Sequence, residues 1–361
     1  MDRIRVAIDA RMVNFSGIGT YLRGLLTHLP EQAGDTGSFT LFGRPEELKI
    51  WPGSIVPARA PIYSLREQWA IPRAFRRSGA GLLHVPHYNV PVTSVSRALV
   101  TVHDLIHLKF PQFLPSGFAH AYARFFLLRV VPRARAIITV SEHSKRDLVE
   151  LLRVPEAKIT VTPLGTSDAF HPRTADEIAP ILASRGLEAG YLLYVGNLKE
   201  FKNVPFLVDT YAKLRVRHPD LPPLVLVGRN SIPGFEEKIR STPGVRWLSS
   251  LEFDQLPPFY CGARALIYPS LYEGFGLPPL EAMASGTPVV CSNRASLPEV
   301  VGDAALVVDP ESEAELGTAM VNVIFDQALG ERLRAAGLAR AATFSWRRTA
   351  EITWRVMRSA L

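Results

Sequence analysis

The chain has 361 residues, 47% hydrophobic and 21% charged, the balance of a globular protein long enough for two domains of about 170 residues each. No apolar run approaches the ~20 residues of a membrane span, the opening Met-Asp-Arg-Ile-Arg-Val-Ala-Ile-Asp lacks the apolar core of a secretory leader, and two cysteines, Cys261 and Cys291, make neither a metal set nor a disulfide framework; a cytosolic (cytoplasmic) chain with buried thiols is expected. Net charge is +7, yet residues 1–170 alone carry 21 Lys+Arg against 13 Asp+Glu, a net of +8 that leaves −1 for the rest, so the first half suits an anionic partner, although no nucleic-acid-binding motif accompanies it.

Arg5-Val-Ala-Ile8 reads as a first strand, and Ile18 to Leu29 as a helix with Tyr21, Leu22, Leu25, Leu26 and Leu29 on one face. Between them, Asn14-Phe-Ser-Gly-Ile-Gly-Thr-Tyr21 places Gly17 and Gly19 at a strand-to-helix turn. Glycines there let backbone approach a ligand and present N–H groups to an anion. Position 22 is Leu, so the order is not the dinucleotide fingerprint, which argues against a dehydrogenase. Ser38-Phe-Thr-Leu-Phe42 and Ala98-Leu-Val-Thr-Val102 are further strands, and Leu82-Leu-His-Val-Pro-His87 precedes a loop. In Thr101-Val-His-Asp-Leu-Ile-His107, His103 sits at a strand's carboxyl end, able to donate to a hydroxyl or hold a backbone carbonyl. Asp104 suits a cap on the next turn. The spacings of His84, His87, His103 and His107 fit no usual zinc set, so no metal is expected.

Phe118 to Val131 reads as a helix ended by Pro132; with Arg133 and Arg135 it is apolar and basic, which fits a packed domain helix or one lying on a membrane surface. Ala136-Ile-Ile-Thr-Val140 is a strand, and Ser141 caps a helix from Glu142 to Leu152. The alternation predicts a parallel sheet with helices on both faces. A linker is expected between Pro163 and Gly190. The pattern then restarts: Tyr191-Leu-Leu-Tyr-Val195 runs into Gly196, and Leu224-Val-Leu-Val227 into Gly228. Val245-Arg-Trp-Leu248, Ala265 to Tyr268, Val289-Val290 and Ala305-Leu-Val-Val308 are further strands. An amphipathic helix from Trp346 to Leu361 closes the chain.

Glu273-Gly-Phe-Gly-Leu-Pro-Pro-Leu-Glu281 is the most informative stretch. The strand ending at Tyr268 leads in, and Pro279-Leu-Glu-Ala-Met-Ala284 leads out until Gly286-Thr-Pro288 stops it. A strand, a glycine turn and a helix N-terminus form an anion site. Glu273 and Glu281 cannot hold a phosphate, but they accept hydrogen bonds from hydroxyl pairs. Phosphates and hydroxyls together describe a nucleotide sugar.

The spacing E-x7-E, continued by Ala282-Met-Ala-Ser-Gly-Thr-Pro-Val-Val290, Ser296-Leu-Pro-Glu299 and Gly302-Asp-Ala-Ala305, resembles the signature of the retaining glycosyltransferases of family 4. The resemblance implies an α/β GT-B fold: two facing Rossmann-like domains with a cleft between them. The N-terminal, acceptor-side domain would span 1–170 with helix 346–361 crossing back to it, and the nucleotide-sugar donor domain 180–343. Tyr191-Leu-Leu-Tyr-Val-Gly-Asn-Leu-Lys-Glu-Phe-Lys-Asn203 resembles the family block whose Arg and Lys grip the diphosphate. Lys202 matches the Lys, while Asn197 occupies the Arg position and leaves open whether Lys199 or Arg229 supplies the second cation. The His103 block resembles the family's His-Asp-Leu, whose His faces the donor sugar.

On this reading Glu273, His103 and Lys202 carry catalysis. The donor is bound by Gly17, Gly19, Asn197, Lys202, Gly274, Phe275, Gly276, Leu277 and Glu281. Glu281 takes the ribose hydroxyls, Glu273 the transferred sugar's hydroxyls, and Lys202 the leaving diphosphate. The chain has no Asp-x-Asp, so neither metal nor other cofactor is expected. The blocks look most like bacterial O-antigen or capsule mannosyltransferases, which implies GDP-mannose as donor and a glycan or lipid-linked glycan as acceptor, with peripheral association at the inner membrane surface. The Phe118–Val131 stretch would also suit an acceptor groove. Alternatives are a UDP-sugar donor, a sugar-nucleotide epimerase, a phosphorylase (against which the length argues), or a silent nucleotide-sugar-binding subunit of a polysaccharide assembly complex.

Overall fold

The structure, a computed structural model, describes residues 3–113, 116–251 and 255–361. The chain divides into two compact units, Met1–Gly165 with Ser345–Leu361, and Thr166–Phe344. Among the described residues no helix is long and apolar enough to cross a membrane.

Unit 1 is built on a seven-stranded sheet. Its strands are β1 (Ile4–Asp9), β2 (Gly37–Gly43), β3 (Ser54–Pro57), β4 (Leu82–Val85), β5 (Ala98–Val102), β6 (Ala136–Thr139) and β7 (Ile159–Val161), in the order β3-β2-β1-β4-β5-β6-β7. Every pairing is parallel, for example Val6 with Leu82 across β1 and β4. β4 and β5 are buried at every position, as expected for the centre of a sheet covered on both faces. The chain leaves β1 toward β2 and leaves β4 toward β5, so the order reverses between them. Ligands of open α/β sheets bind beyond the carboxyl ends at such a point.

Helix Ser16–Ala33 turns Tyr21, Leu22, Leu25, Leu26 and Leu29 inward, the face expected from their spacing. Ser141 caps helix Glu142–Leu152 by accepting from the Ser144 N–H at 3.1 Å. The stretch expected as one helix from Phe118 to Val131 is composite: an α-helix Gly117–Phe125, a π turn Phe126–Val130, and a 3-10 turn Val131–Arg133. Pro132 has no N–H to donate, so the ladder stops there.

Helix Trp346–Ser359 completes unit 1. Thr349 Oγ1 donates to the Pro163 carbonyl at 2.6 Å, Trp354 meets Phe39 at 5.8 Å between ring centroids, and Arg135 Nε donates to the Ala360 carbonyl at 2.9 Å. A Cβ at residue 37 would approach Trp354 to 2.7 Å, so Gly37 makes room for the indole.

Unit 2 has a six-stranded parallel sheet: β8 (Tyr191–Val195), β9 (Leu224–Val227), β10 (Val245–Leu248), β11 (Ala263–Tyr268), β12 (Val289–Ser292) and β13 (Leu306–Val308), ordered β10-β9-β8-β11-β12-β13. Here the order reverses between β8 and β11. The region expected as a linker holds a helix, Ala175–Ala183, started by a capping box in which Thr174 N–H donates to Glu177 Oε2 at 2.7 Å. The cysteine expectation needs one correction. Cys291 is buried, but Cys261 is partly exposed, and its Sγ lies 3.3 Å from the His171 carbonyl.

Candidate functional site

The loops that follow β8 and β11 meet at the switch point of unit 2. Leu271 N–H donates to the Phe201 carbonyl at 2.9 Å, tying one loop to the other. This brings Lys202 and Glu273 together: Nζ lies 2.7 Å from Glu273 Oε1, with side chains 16% and 14% exposed. The Tyr268 hydroxyl completes a triangle, donating to Glu273 Oε1 at 2.8 Å and accepting from Lys202 Nζ at 2.9 Å. Tyr194 stacks on Tyr268 at 5.7 Å. Burial beside Glu273 raises both phenols well above their ordinary range, so they remain protonated donors.

The turn after Glu273 is fixed by Ser296, whose hydroxyl is 2.9 Å from the Glu273 carbonyl and 2.8 Å from that of Phe275. Gly276 takes φ of +115°, and a Cβ there would come within 2.7 Å of Leu297. Helix Leu277–Ala284 starts immediately after it with no side-chain cap and no acidic residue in its first turn. Gly274, Phe275, Gly276 and Leu277 therefore lie where a strand end gives way to an uncapped helix, with Pro278 and Pro279 contributing no N–H.

Glu281 is held by a different tyrosine from Glu273. It is 7% exposed, and its Oε2 accepts from the Tyr260 hydroxyl at 2.8 Å. Burial pushes its pKa up to about 7, against the pull of the tyrosine hydrogen bond. Asn197 follows Gly196, its carbonyl 3.4 Å from the Tyr194 hydroxyl, and Leu198 N–H donates to the Arg229 carbonyl at 2.8 Å. The exposed side chain of Arg229 thus leaves the loop paired with the Asn197 loop, whereas Lys199 lies over the Phe201 ring at 5.5 Å.

Gly17, Gly19 and His103 belong to unit 1. Both glycines lie inside the first turn of helix Ser16–Ala33, not in the loop before it. Gly17 has open space where a Cβ would be, while one at Gly19 would meet the Val13 carbonyl at 2.5 Å. The helix has no side-chain cap and no acidic first turn, leaving its positive end uncompensated. His103 Nε2 is 3.1 Å from the Pro86 carbonyl, and the ring sits edge-on to Tyr21 at 5.0 Å. A carbonyl only accepts, so Nε2 carries the proton. Burial pulls the imidazole down to about 4, partly countered by that carbonyl. His103 is therefore neutral and offers Nδ1 as an acceptor; of the two roles open to it, the structure fills the carbonyl-holding one. Asp104 Oδ1 accepts from Ile106 N–H at 3.0 Å, the cap expected of it.

Unit 1 also joins residues that the sequence does not link, His87, His107 and Tyr122 among them. Arg11 is buried between Asp9 at 2.6 Å and Glu67 at 2.9 Å, and Tyr63, His87, Tyr88, His107 and Tyr122 cluster beside them. In unit 2 the sequence assigns Tyr268 only to a strand end and Ser296 only to the family pattern, and it ties neither to Glu273. Among the described residues no group of three or more His, Cys, Asp or Glu is arranged to hold a metal.

Two Rossmann-like units, with parallel sheets of seven and six strands, are the architecture of the GT-B glycosyltransferases. Residues 189–326 match the family described as glycosyl transferases group 1, and residues 15–170 match glycosyltransferase family 4. The chain is 35% identical to the O-antigen chain mannosyltransferase B of Escherichia coli, over 81% of this chain and 77% of that one. It is 28% identical, over 74% of its length, to a serotype-specific mannosyltransferase WbdA of Escherichia coli, of which it spans 34%. A glycosyltransferase from Rickettsia africae superposes with a TM-score of 0.79 at 15% identity, covering 100% of this chain and 99% of that one. The chain belongs to the group 1, family 4 glycosyltransferases, and it is a glycosyltransferase enzyme.

Proposed function

We propose that this glycosyltransferase moves mannose from GDP-mannose, with retention of configuration, onto a sugar hydroxyl of a growing polysaccharide or lipid-linked glycan. The Lys202–Glu273 pair carries the reading. Glu273 Oε1 is committed to Lys202 and Tyr268, so Oε2 is the oxygen that accepts a hydroxyl of the transferred sugar. Lys202 has three N–H donors, two of them used, and the third reaches the diphosphate oxygens on which charge grows as the glycosidic bond breaks. Leu277 and the glycine turn add backbone donors, and the exposed start of helix Ser16–Ala33 offers a second anion site. Glu281 accepts the ribose hydroxyls. For His103 the family resemblance alone supports a role on the donor sugar, with Nδ1 as the acceptor of a hydroxyl. Retention follows if the acceptor attacks on the face that the diphosphate leaves, with the diphosphate oxygen taking the acceptor's proton. In this scheme lysine and backbone dipoles neutralise the charge and no metal is required. The mannosyl specificity is supported by the names of the relatives.

A lipid-linked acceptor would put the enzyme in the cytoplasm, peripheral on the membrane, and one exposed surface supports that reading. Phe118 is 70% and Phe125 50% exposed on helix Gly117–Phe125, beside exposed Arg124 and Arg129. Phe118→Ser plus Phe125→Ser should lower co-sedimentation with phosphatidylglycerol vesicles; unchanged binding would remove this helix from the contact, and no co-sedimentation of the wild type would remove the membrane from this scheme.

Asn197 at the position of the family arginine favours a second reading, a silent nucleotide-sugar-binding subunit. Thermal unfolding with saturating GDP, UDP, ADP and dTDP, followed by turnover assays, tests both. A nucleotide at 100 times its Kd adds about 2.7 kcal/mol, worth several degrees. A shift with GDP alone and release of GDP from GDP-mannose is the expected result. A shift with UDP alone overturns the donor, and binding without turnover across acceptors selects the silent subunit.

A further inference from the structure

Unit 1 carries a group of side chains for which the donor chemistry above has no use. Tyr63 is held at φ of +60°, a backbone conformation that a bulky L residue adopts only when its surroundings enforce it. A glycine would meet that φ without strain. The ring stays 37% exposed, so burial alone does not account for it. It stacks on Tyr88 at 5.9 Å and meets Tyr122 edge-on at 6.0 Å, and its hydroxyl lies 3.2 Å from His87 Nδ1. His107 stands edge-on to Tyr88 at 5.5 Å and shares a 2.9 Å hydrogen bond with the Tyr88 hydroxyl. His87 and His107 follow the carboxyl ends of β4 and β5, beside the switch point of the sheet.

The cluster is pinned by one carboxylate. Glu67 is fully buried and accepts from the Tyr122 hydroxyl at 2.8 Å, from Asn89 Nδ2 at 2.9 Å and from Arg11 at 2.9 Å. Arg11 is fixed in turn by Asp9 at 2.6 Å and by the Ala60 carbonyl at 2.8 Å. The Asp9 and Glu67 charges are thus shared on one guanidinium, and Tyr122 has no freedom to leave the wall. The result is a rigid set of half-exposed rings with polar tips and apolar bodies.

We infer that Tyr63, His87, His107 and Tyr122 form the wall that binds the acceptor saccharide, with Glu67 as the residue that positions it. A pyranose has C–H faces that pack on aromatic rings and hydroxyl edges that meet phenol and imidazole groups. The wall supplies both, on elements held in place before any ligand arrives. That its ligand is a glycan rests on the glycosyltransferase reading; the geometry of the wall does not.

The test uses the full chain, an α-linked mannotriose as probe and two variants. Tyr63→Gly suits the backbone it replaces, and Tyr122→Phe removes a single hydroxyl, so neither asks the fold to rearrange. Saturation-transfer NMR reads mannotriose binding directly, and initial rates with GDP-mannose read KM for each substrate. Tyr63→Gly should raise the mannotriose Kd and KM tenfold or more, and Tyr122→Phe severalfold, while KM for GDP-mannose stays within twofold. Wild-type affinity for mannotriose in both variants, or no mannotriose binding by the wild type, overturns the wall, as does a parallel rise in donor KM. Loss of binding in Tyr63→Gly, in a chain that transfers nothing from GDP-mannose, would leave the wall standing and remove the donor assignment instead.

Discussion

Lys202 Nζ lies 2.7 Å from Glu273 Oε1, and the two residues arrive on loops that leave neighbouring strands, β8 and β11. Each holds the other in place before a donor enters. The cation is therefore fixed beside the proposed diphosphate site, where extra positive charge is worth most when a leaving group develops negative charge.

Removing either partner should cost turnover far more than stability. Glu273→Ala and Lys202→Ala are each expected to lower kcat by about 10²–10³-fold, the loss typical of one preorganised charged contact in a transition state. The pair is partly exposed, so stability should fall by only about 1–2 kcal/mol. Steady-state kinetics with GDP-mannose and urea melts separate the two effects. Wild-type turnover by Glu273→Ala would take that residue out of the mechanism.

Glu281 makes stability fall as pH rises. Its folded pKa is raised from 4.5 to about 7, so between those values the folded chain holds a proton that the unfolded chain has released. The contribution is complete below pH 4.5 and is lost as pH climbs through about 7, with a limit of about 3 kcal/mol. Glu281→Gln keeps an acceptor for Tyr260 and abolishes the titration. The variant's Tm should lack the pH 5–8 slope that Glu281 adds to the wild type. GDP affinity should move the opposite way in the wild type, rising with pH as the ionised carboxylate becomes available to hydroxyls. Identical slopes in the two proteins would refute the assignment.

The glycines of the two proposed anion sites should respond in opposite directions. Gly17 has nothing within 4 Å of a would-be Cβ, so Gly17→Ala should raise stability by about 0.5 kcal/mol. The same methyl stands on the exposed first turn and should raise the donor KM. Gly276→Ala meets both a positive φ and Leu297, and should lower stability by about 1–3 kcal/mol. Denaturant melts with donor titrations read both changes.

Asn197→Arg restores the second cation of the family pattern. A lower donor KM, by up to about tenfold for one added charge-assisted contact, would mark position 197 as facing the diphosphate. An unchanged KM alongside a raised KM in Arg229→Ala would assign the role to Arg229.

The strands with continuous apolar runs, such as Tyr191–Val195 and Ala98–Val102, were legible because burial on both faces leaves no other composition. β3, β4 and β7 were not: β3 (Ser-Ile-Val-Pro) and β7 (Ile-Thr-Val) are only partly buried and carry no continuous apolar run, and in β4 the run is broken by His84. The Glu273–Glu281 segment was legible because its glycine, prolines and carboxylates all lie within nine residues. Its partner Lys202 is 71 residues away, and only the family pattern linked it to the same chemistry. Glu67 had no such pattern. Its contacts with Arg11, Asn89 and Tyr122 span 56, 22 and 55 residues, and they exist only because the sheet order brings those segments together. His103 follows the carboxyl end of β5, as its sequence context indicates, yet its tautomer depends on the Pro86 carbonyl, which local spacing does not reveal.

Unit 1 is assembled from two separate lengths of chain, 1–165 and 345–361, whereas unit 2 is continuous. On the ribosome, this inverts the order of completion. Unit 2 can close its core as soon as residue 344 emerges, while Gly37 waits for Trp354 to fill the space it leaves. Residues made first finish folding last, and in the interval the face of helix Ser16–Ala33 that will receive the final helix stays open to chaperones and to other nascent chains.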